Sequence, residues 1–140
     1  MKKAVVLSIC GRQSYAGQEP DVIELVTEGT LEETNGGWLL CYEESDLTGL
    51  QGVNTTFQVQ GDVITLIRKG RLNSQMVFRE GVSYDSLYQM EFGALMLTVC
   101  ATKVKADITH NGGVIDLTYN IEIEQTSAGV IDYHLDIQVK

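Results

Sequence analysis

Apolar and polar residues alternate along most of this chain, and the alternation is clearest near its C-terminus. Ile115, Leu117, Tyr119, Ile121 and Ile123 alternate with Asp116, Thr118, Asn120, Glu122 and Glu124. After Thr126-Ser127-Ala128-Gly129 the same order returns, with Ile131, Tyr133, Leu135, Ile137 and Val139 set against Asp132, His134, Asp136, Gln138 and Lys140. A period of two is that of a half-buried strand, and paired residues in a hairpin share a face, so all ten apolar positions are predicted on one side. A slip of one residue would bury the acids instead.

The middle of the chain predicts a second hairpin. Val63, Thr65 and Ile67 precede Gly70-Arg71, and Leu72, Ser74, Met76 and Phe78 follow. A two-residue turn sets residue 69 opposite 72 and 63 opposite 78, with Asp62 across from Arg79. A three-residue connection, Gln60-Gly61-Asp62, then brings Phe57 and Val59 onto the same face, and Asn111-Gly112 marks another turn. Val22 to Glu33 leans to strand through its β-branched residues, whereas Tyr84 to Leu97 fits either strand or helix, and Gly11 to Pro20 reads as a loop.

Glycine-containing turn signals recur about every 8 to 14 residues, and the pattern yields about eight to ten strands with little helix. The chain of 140 residues shows no linker or internal repeat, so residues 1–140 are expected to form one domain. Short connections and the need to hide sheet edges favour an all-β fold, an antiparallel up-and-down barrel whose interior is filled or holds one small ligand.

Composition narrows the partners. Ten Lys and Arg against 19 Asp and Glu leave a formal charge of -9, which disfavours nucleic acid. No apolar run approaches the ~20 residues of a membrane helix, and Ala4 to Cys10 reads as a first strand rather than a leader, so a cytoplasmic protein is expected. Cys10, Cys41 and Cys100 are odd in number and widely spaced, which points to buried free thiols rather than disulfides or a zinc site.

A resemblance rests on short motifs in order: Tyr42-x-Glu44, Thr55-Thr56-x-x-Val59, Arg68-x-Gly70, Met76-x-Phe78, Tyr88 followed by Phe92-Gly93, Thr98-x-x-x-Thr102, and the C-terminal hairpin. Over roughly residues 3 to 138 the chain resembles the YwiB-like bacterial proteins. That resemblance implies a calycin-like, lipocalin-related β-barrel and a cytoplasmic bacterial setting, with no known activity to transfer. The chain departs from the family in having Met90-Glu91 where Thr-Pro tends to stand. The lipocalin Gly-x-Trp is also missing, since Gly37 directly precedes Trp38.

Candidate chemistry is sparse. Asp132, His134 and Asp136 share a face, with Asn120, Glu122 and Glu124 expected beside them. Parallel side chains on a flat sheet converge poorly on an ion, so a solvated face is favoured and no metal is expected. Arg68, Lys69, Arg71 and Arg79 cluster at one hairpin, with Arg68 and Arg79 expected to face outward; an anion site and a soluble hairpin tip both fit, the latter better.

Residues 94 to 106 offer two faces. If Lys103 and Lys105 face water, then Thr98, Cys100 and Thr102 point inward and, with Met76, Phe78, Tyr119 and Tyr133, line either a packed core or a pocket of about 300 Å³ or more. The same choice leaves Leu95, Leu97 and Val99 outside as a surface for association, including a homodimer. A bulge near Gly93 or beyond would exchange the faces.

No catalytic motif or phosphate loop is present, so no enzyme activity and no cofactor are expected. The leading reading is a non-catalytic binder of a small apolar or amphipathic molecule. The alternative is a protein-interaction module with a filled barrel.

Overall fold

A computed structural model describes residues 2–14, 19–44, 51–124 and 126–140, with side chains undescribed at 127 and 128. Ten strands follow one another: β1 (Lys2–Ser14), β2 (Asp21–Thr34), β3 (Gly37–Glu43), β4 (Asn54–Gln60), β5 (Val63–Lys69), β6 (Ser74–Phe78), β7 (Ser83–Met90), β8 (Gly93–Thr109), β9 (Gly112–Ile123) and β10 (Thr126–Val139). They form one antiparallel sheet in the order β6-β5-β4-β3-β2-β1-β10-β9-β8-β7. The expected up-and-down barrel is therefore present, and no helix of the described chain is long and apolar enough to cross a membrane.

β1 and β10 pair from Val5 with Val139 to Ser14 with Val130. The barrel's seam lies instead between β6 and β7. There Asn73 and Gln89 exchange two backbone hydrogen bonds of 2.9 and 2.8 Å, and the Ser86 hydroxyl donates to the Gln75 carbonyl at 2.5 Å. The sheet is nearly closed rather than continuously laddered.

Side chains stack in rows across the barrel because each hairpin is in register. Trp38, Val59, Ile64 and Phe78 form one row of β3 to β6, and Leu40, Phe57, Leu66 and Met76 form the next. Opposite them, Leu7, Leu117, Leu135 and Val99 are buried, so the middle of the barrel is filled by side chains. The C-terminal hairpin behaves as its alternation predicts: Ile115, Leu117, Tyr119 and Ile121 are buried with Leu135 and Ile137. Its turn differs, because β10 already runs from Thr126 and carries a bulge between Ser127 and Gly129.

Residues 84–97, open to either strand or helix from sequence, are strand on both sides of a turn. Other expectations are corrected. β1 continues to Ser14, so Gly11 to Ser14 are strand where a loop was expected, and 15–18 lie outside the described residues.

β5 is turned over relative to its predicted face. Gln60 pairs with Val63 across a two-residue turn, and Arg68 pairs with Ser74 across a connection longer than the two residues expected. Asn73 holds that longer connection, its side-chain amide donating to the Gly70 carbonyl at 3.1 Å. The one-residue shift moves the whole strand: Ile64 and Leu66 enter the core, and Val63, Thr65 and Ile67 leave it.

β8 is corrected by the same logic. Leu97, Val99 and Ala101 are buried, whereas Thr98 and Cys100 are half-buried and Thr102 exposed. A bulge between Ala101 and Lys103 resets the alternation, so Lys103 and Lys105 stay in water without turning the apolar residues out. Leu97 and Val99 are thus core residues, Leu95 packs against that core, and the trio is not an association surface.

Candidate binding site at the barrel mouth

The third row across β3 to β6 is polar. Tyr42 pairs with Thr55, Thr55 with Arg68, and Arg68 with Ser74, directly above the Leu40 to Met76 row. The turned face of β5 brings Arg68 inside, against the outward placement expected from sequence. Its guanidinium meets Glu44, just beyond β3, at 3.8 Å from Nε to Oε2, and the Thr55 hydroxyl donates to that same oxygen at 2.5 Å. Burying both charges is tolerable because each sits beside the other.

β9 and β10 supply the facing wall. Tyr133 lies opposite Leu117, and its hydroxyl is 3.1 Å from that of Tyr42. Phe57 holds both phenols, with ring centroids 6.4 Å from Tyr42 and 5.9 Å from Tyr133. Tyr119 packs on Phe78 at 4.6 Å. Above this floor opens a pocket of about 180 Å³, walled by Ile9, Leu25 and Ile131 on the apolar side and by Arg68, Glu44, Tyr119 and Tyr133 on the polar side.

Electrostatics fix the protonation of the floor. Burial pushes the Tyr119 phenol up to about 12, partly offset by Arg68. Burial likewise raises Tyr133 and Tyr42, and Tyr133 and Glu44 push Tyr42 further up. Burial works against the Arg68 cation, but the three tyrosines and Glu44 outweigh it and hold its pKa above the ordinary value. The floor is therefore neutral phenols around a balanced ion pair.

The predicted interior set divides. Tyr119 and Tyr133 line the pocket, Met76 and Phe78 lie in the packed rows away from it, and Thr98, Cys100 and Thr102 are on the other face of β8. Sequence reading missed Arg68 and Glu44 as a pair; the signal was the matched spacing of Tyr42-x-Glu44 and Arg68-x-Gly70 at the same ends of their hairpins.

On the outer face, His134 meets Asp116 at 2.5 Å through Nδ1 and Asp136 at 3.3 Å through Nε2, and Thr118 donates to Asp132 at 2.8 Å. The neighbours of the acidic face are thus Asp116 and Thr118, not Asn120, Glu122 and Glu124, because Asp132 pairs with Thr118. Among the described residues no group of three or more His, Cys, Asp or Glu is placed to hold a metal ion. The three cysteines are free and half-buried rather than fully buried. Arg79 faces Asp62 at 3.9 Å on the surface, although the register shift of β5 takes the two out of the direct cross-strand pairing expected.

Comparison with known proteins places the fold. The model of a domain of unknown function, DUF1934, matches residues 7–137. The chain belongs to the DUF1934 family. A crystal structure of the ywiB protein from Bacillus subtilis is similar, with a TM-score of 0.88 at 22% identity over 99% of this chain and 93% of that one. No curated protein matches. The structural likeness carries the barrel of this DUF1934 member and leaves its activity to be argued from the mouth.

Proposed function

We propose that this DUF1934 protein is a non-catalytic binder of a small amphipathic molecule that enters the barrel mouth. The observation that carries the reading is the division of one pocket into an apolar wall of Ile9, Leu25 and Ile131 and a polar floor of Arg68, Glu44, Tyr119 and Tyr133. Arg68 and Glu44 already balance each other's charge, so a ligand with a neutral group that accepts and donates hydrogen bonds fits better than a full ion. A purely apolar cavity of about 150 Å³ takes a molecule the size of benzene, so a pocket of about 180 Å³ suits one ring or a short chain, with any remainder in the open mouth.

Binding without catalysis is supported by the states of the floor. A permanent cation and phenols raised by burial are poor proton-transfer groups near neutral pH. The three free cysteines suit a reducing cytoplasm.

The test is a nuclear magnetic resonance screen of neutral one-ring amides and alcohols against the intact labelled protein, alongside native mass spectrometry of freshly purified material. Shifts clustered at Gly11, Tyr119, Ile131 and Tyr133, lost in Tyr133→Ala, are expected. Shifts elsewhere, or none across the set, would overturn the reading.

A further inference from the structure

The bulge in β8 that buries Leu97 and Val99 turns the other face of the strand outward. On that face Met96 pairs directly with Leu87 of β7, and the two side chains are 44% and 46% exposed. At the tip of the same hairpin Phe92 is 97% exposed, and Met90 at the rim is 40% exposed. Nine large apolar side chains are exposed among the described residues; Leu87, Phe92 and Met96 lie on the outward face or tip of this hairpin, whereas Met90, three residues from Leu87, points to its other face. Exposed single residues are ordinary, but a cluster with an aromatic at its tip resembles the apolar centre of an interface.

Its rim is acidic. Asp85 pairs with Thr98, and Thr98 with Glu122, in the row beside Leu87 and Met96. Glu124 accepts from the Met96 backbone N–H at 3.2 Å, and Glu91 occupies the turn beside Phe92. None of these four carboxylates forms an ion pair with a described residue. Arg71 shares a cleft with Met90 and Glu91, yet its Nε is engaged by the Gln51 carbonyl at 2.8 Å.

We propose that the outward face of the β7–β8 hairpin docks a basic segment of another protein that carries apolar side chains between its lysines or arginines. Charge decides among the occupants. A second copy would set acidic rim against acidic rim in a chain of net charge -9, and an anionic bilayer would meet the same repulsion. A basic segment covers Leu87, Met96 and Phe92 while giving the four carboxylates partners.

The experiment uses the whole protein and two synthetic 12-residue peptides of equal charge, one alternating Lys with Leu and one alternating Lys with Ser. Fluorescence anisotropy should show the Lys-Leu peptide binding at least about tenfold more tightly, a difference of about 1.4 kcal/mol. Phe92→Ser with Met96→Ser should abolish that preference, and Glu122→Gln with Glu124→Gln should weaken binding and flatten its salt dependence. These side chains are exposed, so an unchanged thermal melt is the control for folding. Equal affinity for both peptides, no binding, or indifference to the Phe92 and Met96 changes would overturn the proposal. A concentration-dependent dimer abolished by Phe92→Ser would overturn it in favour of a second copy.

Discussion

Arg68 and Glu44 stand 3.8 Å apart within the barrel mouth, with only 14% of the arginine side chain and 1% of the glutamate side chain exposed. Neither charge reaches bulk water easily, so each is stabilised by the other. Arg68→Met and Glu44→Gln should each destabilise, the latter by about 3–5 kcal/mol, because it leaves the buried guanidinium facing a neutral amide. The double variant should cost clearly less than the sum. Urea unfolding of the four proteins measures the coupling, and strict additivity would count against a functional ion pair.

His134 sits between two carboxylates, and its hydrogen bond to Asp116 is the chief cause of a raised pKa. A raised pKa means that the folded state holds the proton more tightly. Its stabilisation is complete below the ordinary histidine pKa of about 6.5 and fades as pH rises through the higher folded value. His134→Gln should therefore cost more at pH 6 than at pH 9. The difference should be within about 1 kcal/mol, since the imidazole is 45% exposed. Equal losses at both pH values would refute the charged contact.

Gly29 is the close approach that lets β2 and β3 carry Tyr42 inward. A methyl group there would lie 2.4 Å from the Cys41 carbonyl oxygen and 3.2 Å from both Leu7 Cδ1 and Tyr42 Cβ. Gly29→Ala should destabilise by about 3 kcal/mol or more, near the upper end of overpacking effects. Thermal unfolding reads the loss, and a variant within 0.5 kcal/mol of the parent, roughly the spread of neutral surface changes, would argue against this packing.

Two neighbours on β8 test its corrected face. Leu97 is 3% exposed and Met96 44%. Leu97→Ala should cost about 2–5 kcal/mol, whereas Met96→Ala should stay within about 0.5 kcal/mol. The reverse order would restore the face that Lys103 and Lys105 suggested.

Strand number, hairpin order and the buried face of the C-terminal hairpin were legible because period-two alternation runs unbroken there, although the hairpin's register was not. Where alternation and turn signals disagreed, the face of a strand was misread. β5 carries apolar residues on both sides, Val63 and Ile67 against Ile64 and Leu66, so only the unexpectedly long connection around Asn73 decides which side enters. That choice hid Arg68, the residue on which the mouth depends. In β8 two lysines fixed the wrong face because the bulge after Ala101 leaves no mark in residue type. Tyr119 and Tyr133 were found because the alternation is unbroken around each of them, the bulge of β10 lying earlier, between Ser127 and Gly129.

The opening of the sheet lies in mid-chain, between β6 and β7, while β1 and β10 zip together and the Lys140 N–H donates to the Ala4 carbonyl at 3.0 Å. In connectivity the molecule is close to a ring. A circular permutant that joins residue 140 to residue 2 by a short linker and begins at Gly81 would keep every strand pair and place its new ends at the seam. The strands vulnerable to templating by a stray chain are then β6 and β7 from mid-chain, not the terminal ones. β6 answers that hazard with five residues only, and β7 with Asp85 on its outer face.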